Sequence, residues 1–128
     1  MKYLFDTNII IALTNNDVEL FDKVCRNGKI SISVITCGEL LLGANYSQRV
    51  NENIIKINQF ISDCVIIKDI TRETAYHFGV VKARLKTLGK PIPDNDLWIV
   101  STALELDYTL VSRDKHILNL DFIKTEKW

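Results

Sequence analysis

The sequence predicts an α/β domain whose mostly parallel sheet is covered by helices on both faces. Three observations carry this: short β-branched or aromatic runs recur, segments of helical period separate them, and 128 residues make about one domain's length of chain. The first run is Lys2 to Phe5, followed by Asp6, Thr7 and Asn8. The second, Lys29 to Val34, feeds an apolar helix from roughly Ile35 to Tyr46. Val50, Ile54, Ile57 and Ile61 then mark one face of a further helix. A third strand is expected at Cys64 to Ile67. Next comes a helix capped by Thr71, faced by Ala75, Phe78, Val81, Ala83 and Leu85, and stopped near Gly89, Pro91 and Pro93. Asp94 is expected to cap the following helix, which runs to about Leu106, before strands at Tyr108 to Val111 and Phe122 to Lys124.

Composition narrows the function classes. Hydrophobic residues at 47% and charged residues at 25% describe an ordinary globular chain, read as one domain over 1–128. Sixteen basic and sixteen acidic residues cancel, so binding a polyanion by bulk charge is excluded and a local patch is required. Cys25, Cys37 and Cys64 are odd in number, without a CxxC pair, and sit in apolar stretches, which fits a reducing cytoplasm. The run Ile9 to Leu13 is too short for a signal peptide or a membrane span.

Four acids stand out by position. Asp6 directly follows the first strand, where an α/β sheet places its chemistry. Glu39 is the lone charge between Ser31 and Gln48, in a helix apolar nearly all round and therefore expected to be buried. Such a carboxylate needs a partner or a cation. Asp96 falls on the inward face of its helix, whereas Asp94 falls at the cap; whether Asp94 joins the site is left open. Asp114 follows the fourth strand through Ser112 and Arg113. Taken singly, Asp6 and Asp114 could be ordinary caps or turn residues, and Asp94 and Asp96 ordinary first-turn acids. Gathered at one sheet edge, the four would repel unless a cation lay among them, and an all-oxygen donor set favours Mg²⁺ or Mn²⁺ over Zn²⁺. His77 and His116 are unpaired and are not expected to be ligands.

An acidic pocket holding such an ion suits phosphodiester hydrolysis. The chain has no GxSxG elbow, no Walker A loop and no GxGxxG pattern. The stretch KARLKTLGK offers Lys82, Arg84, Lys86 and Lys90 to a phosphate backbone, with Lys82, Lys86 and Lys90 sharing a face if the helix persists. Arg113 and Lys115, which border Asp114, are expected to contact substrate more closely.

Together, DTN after the first strand, a lone Glu in an apolar helix, IPDNDLWI, VSRD and the closing TEKW resemble the PIN-domain signature. Spacing and length are similar to the VapC toxins of VapBC toxin-antitoxin systems. The resemblance spans the whole chain. It implies a small α/β/α sandwich, Mg²⁺- or Mn²⁺-dependent endoribonuclease activity on RNA, neutralisation by a cognate VapB antitoxin, and a homodimer. It carries over Asp6, Glu39, Asp96 and Asp114 as the acids and Thr7, Asn8 and Ser112 as supporting residues. Asp6, Asp96 and Asp114 would then hold one or two metals while Glu39 orients or deprotonates the attacking water. Ile99, Val100 and Ser101 depart from the family's IAA at Val100, which touches packing. The alternative is a receiver-type phosphoacceptor domain, for which CVIIKDI offers only Asp69 and the first strand one acid rather than a pair. A haloacid-dehalogenase phosphatase would need a second acid where Asn8 stands.

Overall fold

The computed structural model describes residues 2–128. In chain order the elements are β1 (Tyr3–Phe5), α1 (Thr7–Thr14), α2 (Val18–Cys25), β2 (Ile30–Ser33), α3 (Val34–Asn45), α4 (Val50–Cys64), β3 (Val65–Lys68), α5 (Arg72–Thr87), α6 (Asp94–Leu106), β4 (Thr109–Val111), α7 (Lys115–Leu118) and β5 (Thr125–Glu126). The strands lie in the order β3-β2-β1-β4-β5. All four pairings are parallel, with Leu4 opposite Ser31 and Phe5 opposite Val111.

Alternation along the strands builds two cores, because successive side chains leave a strand on opposite faces. Leu4 and Leu110 join Val81, Leu85, Leu97, Val100 and Ala103 beneath α5 and α6. Phe5 and Val111 join Ile9, Leu20, Val24, Ile32 and Leu40 beneath α1 to α4. The sheet is therefore the middle of three layers, as expected. The strand order also removes the receiver alternative, whose fold runs 2-1-3-4-5; here Asp69 follows an edge strand.

Several local expectations are corrected. The last strand lies at Thr125–Glu126 rather than Phe122 to Lys124, because Phe122 and Ile123 are used to pack against the α5–α6 core. Pro93, not Asp94, occupies the cap of α6 and offers no side-chain acceptor. The buried face of α5 is Thr74, Val81 and Leu85, with Phe78 stacked on Trp98 at 4.0 Å, while Ala75 and Ala83 face solvent. The Thr71 cap is present and forms a reciprocal box with Thr74. α3 is not buried all round: Leu42 is 67% exposed, and Tyr46, the residue that follows its last turn, is 91% exposed. Cys25 is exposed rather than packed. Among the described residues no helix is long and apolar enough to cross a membrane.

Candidate active site

The site starts from the register of the two central strands. With Phe5 opposite Val111, the chain leaves both strands side by side, and Asp6 N–H donates to the Val111 carbonyl at 2.9 Å. The next residue on each strand is then Asp6 and Ser112, and the Ser112 hydroxyl donates to Asp6 Oδ2 at 2.7 Å. Asp6 is only 4% exposed and Ser112 is fully buried. The other Asp6 oxygen caps α1, accepting from Thr7 N–H at 2.8 Å. Capping and site membership thus coincide in one side chain, one oxygen each.

Asn8 completes the corner. Its amide reaches Asp6 Oδ2 at 3.4 Å and Ser112 Oγ at 3.3 Å, and its carbonyl oxygen accepts Arg113 N–H at 3.2 Å. Ser112 Oγ also accepts Asp114 N–H at 3.0 Å, so one buried hydroxyl links two of the acids. Asp114 itself caps α7 through His116 N–H at 2.9 Å.

Glu39 arrives from the other side of β1. Ser33 ends β2 and caps α3 by accepting Ile35 N–H at 3.1 Å, and the second turn of that helix brings Glu39 to α1. Its Oε1 accepts the Thr7 hydroxyl at 2.8 Å, and the fully buried Thr36 hydroxyl lies 3.0 Å from the same Thr7 oxygen. Glu39 is half-buried and lines a cavity of about 470 Å³ with Ile11, Asn53, Lys56 and Ile57. No basic side chain forms an ion pair with it among the described residues; Lys56 pairs with Glu52 at 3.5 Å instead.

Asp96 enters from the first turn of α6. Its carboxyl is pushed up to about 6, first by burial and then by the charges of Asp6, Asp114 and Glu39. Burial also raises the Asp6 carboxyl; the Ser112 and Thr7 hydrogen bonds oppose that rise, and Glu39 and Asp114 add to it. Glu39 and Asp114 thus act on both Asp6 and Asp96, and Asp6 acts on Asp96. Among the described residues, no three Asp, Glu, His or Cys side chains close in far enough to chelate an ion on their own. The donor set is all oxygen with no cation inside it, and it fits a hard ion such as Mg²⁺, which keeps several waters and takes only one or two carboxylates directly.

This mutual repulsion has a measurable consequence. A carboxyl whose folded pKa lies above its unfolded value binds more protons when folded, so metal-free stability falls as pH rises from about 4 through about 6. For the half-buried Asp96 the effect is on the order of 2 kcal/mol after allowing for solvent screening. In EDTA, Asp96→Asn should therefore melt several degrees above the wild type at pH 7.5 and at nearly the same temperature at pH 3, below the unfolded pKa. Equal melting at both pH values would mean that the neighbouring carboxylates do not press on Asp96.

The expected substrate cations are redistributed. Lys82 pairs with Asp94 at 3.0 Å, which is where the Asp94 carboxylate goes instead of capping its helix. Arg84 pairs with Asp121 at 3.6 Å. Lys90 lies beyond the end of α5, past Gly89 at φ 67°, so it does not share the helical face of Lys82 and Lys86. Arg113 donates to Asp17 and to the Trp128 carbonyl. Lys86, Lys90 and Lys115 are exposed and without an ion pair among the described residues. His77 and His116 lie outside the acid cluster; His116 contributes only its backbone N–H. Sequence reasoning missed Thr36, although its place three residues before Glu39 puts it on the same helical face. It also missed Asp17 and Trp128, for which no local signal exists.

A PIN domain family model matches residues 3–123. Ribonuclease VapC2 of Haemophilus influenzae is 35% identical, over 100% of this chain and 98% of its own. A tRNA(fMet)-specific endonuclease VapC of Shigella flexneri is 29% identical, with the same coverage of 100% and 98%. Among solved structures, VapBC2 from Rickettsia felis bound to a DNA fragment from its promoter aligns with a TM-score of 0.91 at 28% identity, covering 100% of this chain and 99% of that one. DNA-bound VapBC from Salmonella typhimurium aligns at 0.92 and 27%, covering 100% and 98%.

Proposed function

The chain belongs to the PIN-domain family, and on that premise we propose that it is a divalent-metal-dependent endoribonuclease, the toxin of a toxin-antitoxin pair. One observation carries the reading: Asp6, Glu39, Asp96 and Asp114 come from four separate segments, and burial together with the neighbouring acids raises the carboxyls of Asp6 and Asp96.

Asp6, Asp96 and Asp114 would hold Mg²⁺ or Mn²⁺ directly or through water. When bound, such an ion acidifies water, screens the phosphate's charge and stabilises charge on the leaving oxygen. Ser112 and Asn8 fix the Asp6 carboxylate. Thr7 fixes one Glu39 oxygen, and the other, unbonded among the described residues, serves as the base. Glu39 takes a proton from the attacking water as its oxygen bonds to phosphorus. The bond from phosphorus to the ribose oxygen breaks, and that oxygen gains a proton from solvent. Lys86, Lys90 and Lys115 steer the RNA by charge, while Lys82 is held by Asp94. The partner is a VapB-type antitoxin, as in the VapBC assemblies it resembles. The protein is a cytoplasmic homodimer, and residues 1–128 form its nuclease domain.

Purified protein incubated with total RNA should produce discrete new ends in Mg²⁺ or Mn²⁺ and none in excess EDTA. Cleavage that persists in EDTA would refute the metal-dependent reading, and intact RNA under every condition would refute the nuclease.

A further inference from the structure

Arg113 stands between the two residues whose alignment matters most to the acidic pocket. Ser112 before it bonds Asp6, and Asp114 after it is one of the four acids. Its own backbone N–H is fixed on Asn8. Its guanidinium serves two acceptors, with Nε donating to the Trp128 carbonyl at 2.7 Å and Nη2 to Asp17 Oδ2 at 2.9 Å.

We propose that Arg113 is a positioning residue: by tying the Ser112–Asp114 corner to Asp17 and to the Trp128 main chain, it sets Asp114 against Asp6 without touching RNA. This rests on the nuclease reading above.

The contacts close into a ring. The Trp128 ring packs edge-on against Tyr3 at 4.9 Å and Phe5 at 5.3 Å, both on the strand that ends at Asp6. From Trp128 the path runs through Arg113 to the corner, and through Ser112 back to Asp6. Asp17 anchors the second arm. Its other oxygen caps α2 by accepting Leu20 N–H at 3.1 Å, so the carboxylate cannot follow Arg113 if the corner moves. A planar guanidinium can serve two acceptors in fixed directions, which an ammonium cannot do. Arg113 lowers the Asp17 carboxyl, and among the described residues its guanidinium forms its hydrogen bonds with Asp17 and Trp128 and none with Asp6, Glu39, Asp96 or Asp114. The ion pair is too exposed, at 37% and 33%, to contribute much to global stability, which leaves local geometry as its main effect.

The test compares the wild type with Arg113→Met, Asp17→Ser and the double variant. Ser preserves the α2 cap but is too short to reach Arg113. Each single variant should speed amide hydrogen exchange across residues 112–116 and weaken Mn²⁺ binding by about tenfold. Each should also lower kcat with KM for RNA unchanged, and the double variant should be no worse than the singles. Arg113→Lys should recover part of the loss. If Arg113 instead gripped a phosphate, Arg113→Met would raise KM and reduce the salt slope by about one, while Asp17→Ser would behave as wild type. That pattern, or additive losses in the double variant, would overturn the proposal. If Arg113→Met fails to fold, Asp17→Ser decides alone through the same readouts. A wild type that neither binds Mn²⁺ nor cuts RNA would refute the nuclease reading instead, and unchanged exchange at 112–116 would still refute the strut by itself.

Discussion

Asp6→Asn is expected to reduce RNA cleavage by at least about a thousandfold while leaving the protein folded and, without metal, no less stable. Asp6 ends the central strand, almost wholly buried, and its carboxyl already carries a raised proton affinity because burial and two neighbouring acids disfavour its charge. Asn keeps the shape and the acceptor that caps Thr7, and its amide can donate to Ser112 Oγ; the bond given up is the long one, 3.4 Å, from the Asn8 amide. What is lost is the negative charge next to the other acids. Melting temperature in EDTA and cleavage in Mg²⁺ separate the two effects. Unfolding of Asp6→Asn would show Asp6 to be structural, and full activity would remove it from the site.

Glu39→Gln is the second large effect. It should lower kcat by roughly a hundredfold to ten-thousandfold, the usual weight of a positioned general base, with KM for RNA little changed. Glu39 has the environment of a base: half-buried, bonded at one oxygen by Thr7, with no ion pair to it among the described residues and an open cavity beside it. Gln retains the carbonyl that accepts from Thr7, so the side chain should stay in place while losing the ability to take a proton. Mn²⁺ affinity should stay close to the wild-type value. An affinity loss as large as that of Asp6→Asn would make Glu39 a metal ligand rather than the base.

Much of this was legible in the sequence, for physical reasons. Asp6 and Asp114 could be placed because a parallel sheet gathers its strand ends at one edge, and KYLF and TLV are strands by composition. Glu39 was legible as the lone charge in an apolar stretch, although the stretch proved less buried than its composition suggested, with Leu42 and Tyr46 in solvent. The Asp94 cap was misplaced because Pro93 already has the extended backbone of a cap, and the carboxylate finds Lys82 one helix away. Arg113 shows a related limit: the sequence places a cation beside an acid, and only folding brings Asp17 and Trp128, far away in sequence, against it. Local pattern locates groups along a strand or helix. It does not say which distant residue claims them.

The claim on which the rest depends is that Asp6, Asp96 and Asp114 hold a hard cation beside Glu39. Calorimetric titration of Mn²⁺ into metal-free wild type and Asp6→Asn tests it most directly. The wild type should bind, release protons on binding near pH 6 where Asp96 is about half protonated, and lose at least about tenfold in affinity with the Asn substitution. No binding by the wild type, or equal affinity in the variant, would contradict it.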